Sequence, residues 1–194
     1  MSISLVAGLG NPGREYELSR HNLGWVVVDA YASKHGLSWK KAPEFQSVVA
    51  RQDLGGGRTL WLAKPQSFMN DSGHAVAALA RYHRIEPESV AAVYDDLTID
   101  LGLIKVSVTG SDAGHNGVAS LLEHLGNGFA RYRLGVGPRQ PPEMDLKDFV
   151  LTKFSSEQLT IIEQNLEPTV QGLELLLDRG ADQAMNELNR KDPS

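Results

Sequence analysis

Apolar and polar positions along the chain follow two periods, and the switches between them outline the fold. Ile3 to Leu9 is a short apolar run that ends in Gly10-Asn11-Pro12-Gly13. A run of that length closed by glycine and proline predicts a buried strand and a turn. Arg14 to Arg20 is polar and lacks the helical spacing of apolar residues. From about Leu23 to His35, Trp25, Val26, Val28, Ala30 and Ala32 suit an amphipathic helix, stopped by Gly36. Phe45 to Leu54 and Arg58 to Ala63 flank Gly55-Gly56-Gly57, which predicts a hairpin. Ser72 to Tyr82 reads as a second helix with Ala75, Val76, Leu79 and Ala80 inward, and Val90 to Tyr94 as a short buried strand ending at Asp95.

Leu103 to Val108 alternates as a strand, with Lys105 and Ser107 on one face. A helix over Gly117 to Leu125, a strand over Tyr132 to Val136 and a short strand over Asp148 to Leu151 follow. Ser155-Ser156-Glu157-Gln158 is a capping box that opens a long helix to about Asp178. Pro168 is expected to kink that helix or to begin a second segment, and a last short helix covers Ala181 to Leu188. Strands alternating with helices predict an α/β fold. The expectation is a single domain over residues 1–194, a mixed, largely parallel twisted sheet flanked by helices, with C-terminal helices. No internal repeat or linker interrupts it.

Composition narrows the class. A chain of 194 residues is long enough for one well-buried core, and 41% hydrophobic with 22% charged residues is ordinary for a folded protein. No apolar run approaches the roughly 20 residues that cross a bilayer. Met1-Ser2-Ile3-Ser4-Leu5 lacks the basic flank and long apolar stretch of a signal peptide. There is no cysteine, which excludes disulfides and cysteine–zinc sites and fits a reducing compartment. The expected location is the cytoplasm, with no membrane partner. A net charge of −5 argues against a protein coated in nucleic acid but leaves room for a local basic face. Phe129 to Pro142 carries Arg131, Arg133 and Arg139 without an acid; taken alone, the stretch reads as solvated surface arginines.

The chemistry gathers at the turns. Arg20-His21-Asn22-Leu23-Gly24 and Gly114-His115-Asn116-Gly117 both set His-Asn against glycine. Ser67-Phe68-Met69-Asn70-Asp71-Ser72-Gly73 is a third polar turn, and Asp95-Asp96 closes an apolar run. A histidine, several carboxamides and an acid at the ends of hydrophobic segments are what a water-activating hydrolase requires. Gly8-Leu9-Gly10-Asn11-Pro12-Gly13 also has the G-x-G-x-x-G spacing of dinucleotide sites. Its context fails: the polar Arg14 to Arg20 follows where an apolar helix should open, and no acid ends a second strand about 20 residues on. The same turn instead exposes Asn11 at a strand's C-terminal end, where open α/β sheets bind ligands.

The motifs Gly8 to Gly13, Tyr16, Arg20 to Gly24, Lys64-Pro65, Phe68-Met69-Asn70, Ser72-Gly73, Asp95-Asp96-Leu97, Gly114 to Gly117 and Arg133-Leu134-Gly135-Val136-Gly137 stand in one order over roughly three-quarters of the chain. Together they resemble the bacterial-type peptidyl-tRNA hydrolase family. The resemblance implies a monomeric α/β enzyme, without metal or other cofactor. It would cleave the ester between a stalled peptide and the 3′ ribose of tRNA, engaging the acceptor stem and CCA end. An aminoacyl ester is already activated, so a polarised water and oxyanion donors suffice. His21 is then the general base and Asp95 holds its other ring nitrogen, with Asp96 as competitor for that place. As a bare turn residue, His21 could equally satisfy a backbone carbonyl.

The resemblance assigns Asn11 and Asn116 to positioning substrate or water, Asn70 with Met69 to the peptide-side wall, and Tyr16 to substrate binding. Either Asn11 or Asn116 can face the oxyanion. His115 reads as a turn-stabilising or tRNA-contacting residue. Arg133 matches one arm of a clamp for the tRNA 5′ phosphate. The lysine of the other arm falls at or near Ser107, and Lys105, two residues earlier on the same face, could substitute with its long ammonium side chain. The loop Thr109 to Ala113 is poorer in glycine than its relatives, and Thr98 stands where many carry an acid. A binding-only relative is a rival reading, against which the joint presence of His21, Asp95, Asn11 and Asn116 speaks.

Overall fold

A computed structural model describes residues 2–190. The strands are β1 (Leu5–Gly8), β2 (Lys40–Ala42), β3 (Ser47–Asp53), β4 (Thr59–Pro65), β5 (Val90–Asp100), β6 (Ile104–Ser107) and β7 (Ala130–Gly137). The helices are α1 (Leu23–Lys34), α2 (Ser72–His83), α3 (Asn116–His124), α4 (Leu146–Leu151) and α5 (Ser156–Leu188). All seven strands share one sheet in the order β2-β3-β4-β1-β5-β7-β6. The four central strands run parallel, while β2, β3 and β6 add antiparallel edges. The mixed, largely parallel sheet expected from the sequence is the one observed.

The central strands are covered on both faces, which is why they read as apolar runs rather than alternations. Val6, Val93 and Tyr132 point to one layer, with Val27 and Val28 of α1 and Leu173 and Leu176 of α5. Leu5, Ala7 and Ala92 point to the other, with Val76 and Leu79 of α2 and Leu121 of α3. Each of these valine and leucine side chains contributes about 1.5–3 kcal/mol on burial. Gly73 lets α2 and α3 meet backbone to backbone: a Cβ there would run into the Ser120 carbonyl. Its amide donates to Ser120 Oγ at 3.0 Å.

Four elements differ from the sequence reading. Residues 148–151 are helical, not extended: Asp145 caps the Lys147 amide at 2.8 Å, and apolar Leu146, Phe149 and Val150 have helical spacing. β5 runs on through Asp95-Asp96 to Asp100, because glycines in β7 admit it; Cβ atoms at Gly135 and Gly137 would strike the Asp100 and Leu97 carbonyls. Pro168 neither ends nor restarts α5; the non-helical residue is Gly180, at φ 80° and ψ 174°, where the expected last helix begins. Lys40–Ala42 forms an edge strand too short and polar to have been read from pattern. The capping box at Ser155 and Gln158 is present as expected.

Candidate active site

The candidate residues meet at the C-terminal ends of the parallel strands, the usual ligand side of an open α/β sheet. Asn11 follows β1, Met69 follows β4, and Asp95 lies in the outer half of β5. The turn Arg20–Asn22 and the start of α3 supply His21, His115 and Asn116. They line a cleft of about 620 Å³ together with Tyr16, Asn70 and Arg133.

Asp95 is its electrostatic centre. Burial alone would raise its carboxyl, but the charges and hydrogen bonds of His21 and His115 outweigh that and hold it well below the usual carboxylate range. An ionised carboxylate only accepts, so His21 Nδ1 donates to Asp95 Oδ1 at 2.9 Å and to Oδ2 at 3.1 Å. His115 Nε2 donates to the same Oδ1 at 3.0 Å. The Nδ1 of His115 is occupied as an acceptor, capping α3 by bonds from the Gly117 and Val118 amides at 3.1 and 3.3 Å. Both nitrogens of His115 are therefore committed. In its neutral form His21 then keeps a bare Nε2, with no internal partner among the described residues, beside the cleft.

His21, Asp95 and His115 are the group of metal-capable side chains among the described residues, with ligand atoms within 4.8 Å of one another. The donor set does not suit a cation. His115 Nδ1 already accepts from two amides, so lending the Nε2 lone pair to a metal would require an imidazolate.

The two His-Asn pairs divide their work in opposite ways. In the first, His21 faces the cleft and Asn22 is structural: its Oδ1 accepts from the Asn11 amide at 2.8 Å and its Nδ2 donates to the Asn11 carbonyl at 2.9 Å. In the second, His115 is structural, and the exposed Asn116 side chain has no partner among the described residues. Asn11 Oδ1 accepts from the Met69 amide at 2.7 Å, which leaves its Nδ2 hydrogens for the cleft. Met69 is buried against Leu9 and Gly117, so it fills core as well as lining the cleft.

Asp96 is not free to compete with Asp95. Its Oδ1 accepts from the Thr98 amide and hydroxyl at 2.8 and 2.6 Å, and its Oδ2 from Arg133 Nε at 2.9 Å. Burial opposes ionisation, but the Thr98 and Arg133 bonds prevail and lower its carboxyl. Lys105 stands opposite Arg133 in the β6–β7 ladder but outside the lining of the cleft, whereas Ser107 is part of it. Arg131 corrects the reading of solvated arginines. It is 4% exposed and donates to the Ser111 and Gly110 carbonyls, both at 2.6 Å, holding the loop before His115. Its place on β7 two residues before Arg133 was the signal for that role.

A buried carboxylate behind an imidazole with a bare outer nitrogen, in a cleft rimmed by amide donors, is the constellation of a water-activating hydrolase. A family model described as Peptidyl-tRNA hydrolase matches residues 5–194. A peptidyl-tRNA hydrolase from Gloeobacter violaceus is 41% identical over 192 residues, covering 98% of this chain and 96% of its own. One from Anaeromyxobacter sp. (strain K) is 42% identical over 190 residues, covering 97% of each. The crystal structure of peptidyl-tRNA hydrolase from Acinetobacter baumannii superposes with a TM-score of 0.89 at 33% identity, over 99% of this chain and 97% of that one. The chain belongs to the peptidyl-tRNA hydrolase family.

Proposed function

We propose that this protein hydrolyses the ester joining a peptide, or an N-blocked amino acid, to the 3′ ribose of a tRNA, with water activated by His21. The observation that carries the reading is the His21–Asp95–His115 arrangement, which leaves one basic ring nitrogen at the cleft. Nε2 of His21 takes a proton from water as the oxygen adds to the ester carbonyl. The imidazolium forms against ionised Asp95, and Nδ2 hydrogens of Asn11 and Asn116 receive the oxyanion. Collapse expels the ribose 3′ oxygen, which takes the proton back from Nε2.

Arg133 is the anchor for tRNA phosphate. Asp96 holds its Nε, while its terminal nitrogens have no partner among the described residues and lie at the cleft. Lys105 adds charge from the neighbouring strand. Tyr16, Met69, Asn70 and His115 border the place of the acyl chain and terminal nucleotide. Among the described residues no helix is long and apolar enough to cross a membrane. We place the protein in the cytoplasm as a single-domain monomer, consistent with a chain free of cysteine.

The test is release of an N-acetylated amino acid from acylated tRNA. Wild-type protein should turn over, and His21→Ala should lose at least about 10³-fold in kcat while its melting curve stays cooperative. No release by the wild type, or full activity of His21→Ala, refutes the proposal.

A further inference from the structure

The Arg20-His21-Asn22 turn gives work to its last two residues and leaves Arg20 unexplained. Its side chain is buried, 6% exposed, yet it pairs with no carboxylate among the described residues. Nη1 donates to the Thr152 carbonyl at 3.2 Å, Thr152 Oγ1 at 2.6 Å and the Lys153 carbonyl at 2.8 Å. Nη2 donates to Gln158 Oε1 at 2.8 Å, the same oxygen that accepts from the Ser155 amide in the α5 capping box. The guanidinium lies over the rings of Phe149 and Phe154, 4.4 and 4.9 Å from their centroids. Along the backbone, the Arg20 amide donates to the Thr152 carbonyl at 3.1 Å, and Ser19 forms an antiparallel bridge with Lys153.

One side chain thus gathers the end of α4, the segment 152–155 and the start of α5 onto the turn that carries His21. α4 needs such an anchor. A helix of six residues does not hold itself, and Phe149 is its only buried residue. Leu146, Val150 and Leu151 meanwhile line the cleft. Burying a cation among neutral acceptors costs free energy that an apolar contact would not, so a gain elsewhere must offset it.

We propose that Arg20 is a positioning residue that ties the α4 wall of the cleft to the catalytic turn, so that the wall against the substrate and the base beside its ester are set by one side chain. The inference rests on the hydrolase reading above. Arg20→Lys keeps the charge but loses the planar fork that reaches Thr152 and Gln158 together. KM for N-acetylaminoacyl-tRNA should rise about tenfold with kcat within about threefold, as expected for lost uniform binding. Hydrogen exchange of the 146–152 amides should quicken while the central strands stay protected.

Because the chain has no cysteine, Ser19→Cys with Lys153→Cys can be joined by a disulfide across the bridge. In the Arg20→Lys background, oxidation should restore KM and reduction should remove the rescue. Unchanged KM and unchanged α4 exchange overturn the proposal, as does a kcat loss equal to that of His21→Ala with α4 still protected. If Arg20→Lys does not fold, Thr152→Val with Gln158→Ala, which leaves Arg20 in place, must loosen α4 and raise KM, or the proposal fails. A wild type without esterase activity would refute the hydrolase reading, while α4 exchange would still report separately on the strap.

Discussion

Replacing Asp95 with Asn probes the heart of the site with almost no change of volume. Asp95 is buried, and its Oδ1 accepts from both His21 Nδ1 and His115 Nε2, while Oδ2 lies 3.1 Å from His21 Nδ1. His115 cannot change its tautomer, because its Nδ1 accepts two helix amides. It must go on donating, so the Asn oxygen stays with His115 and the new NH₂ takes the position of Oδ2. His21 Nδ1–H then keeps only the oxygen it shares with His115, at 2.9 Å, and meets a donor at the place of Oδ2, 3.1 Å away. The ring relieves the clash by moving its proton to Nε2, the atom that should accept from water. Even where Nδ1 keeps its proton, the charge facing the imidazolium of the transition state is gone. Opposite charges about 4 Å apart attract by roughly 4 kcal/mol at an effective dielectric near 20. At 1.36 kcal/mol per decade this is about a 10³-fold loss in kcat. Single-turnover release of N-acetylamino acid from tRNA measures it directly. A fall of less than tenfold would refute the role given to Asp95.

Other consequences follow from the same contacts. His115→Ala removes a charge-assisted bond to a buried carboxylate and uncaps α3, so unfolding in urea should show a loss of about 2–4 kcal/mol; a change under about 0.5 kcal/mol would contradict the shared-carboxylate geometry. Because folding lowers the Asp95 pKa, its contribution is complete above the unfolded carboxylate value and is lost as pH falls through the lower folded one. The stability gap between wild type and Asp95→Asn should therefore hold from pH 7 to about 4 and shrink below it, as acid titrations of urea midpoints would show. Arg133→Ala should raise KM for acylated tRNA more than it lowers kcat, and Lys105→Ala should do so less; the reverse order would reassign the phosphate contact. Gly73→Ala forces a Cβ into the Ser120 carbonyl and should cost about 3 kcal/mol in thermal melts; near-neutrality would mean that α2 and α3 can move apart.

Much of this was legible in the chain because local and global preferences agree. The buried parallel strands announce themselves as apolar runs closed by glycine or an acid, and α5 by its capping box. What escaped depends on partners far away in sequence. β5 continues through polar residues because Gly135 and Gly137 on another strand leave room for its carbonyls. α4 is a helix whose single buried residue, Phe149, packs under Arg20. The site shows the same division. His21, Asp95 and the asparagines stand out as polar residues at the ends of apolar segments. That Asn22 rather than Asn116 is the structural asparagine, and His115 rather than His21 the structural histidine, follows from hydrogen bonds that sequence spacing does not encode.

Water activation requires a bare Nε2 on His21, held by proton placement across Asp95. Long-range ¹⁵N–¹H correlation spectra of the imidazoles, recorded at alkaline pH, read that placement directly. The expected result is His21 protonated on Nδ1 and His115 protonated on Nε2. A His21 that carries its proton on Nε2 would contradict it.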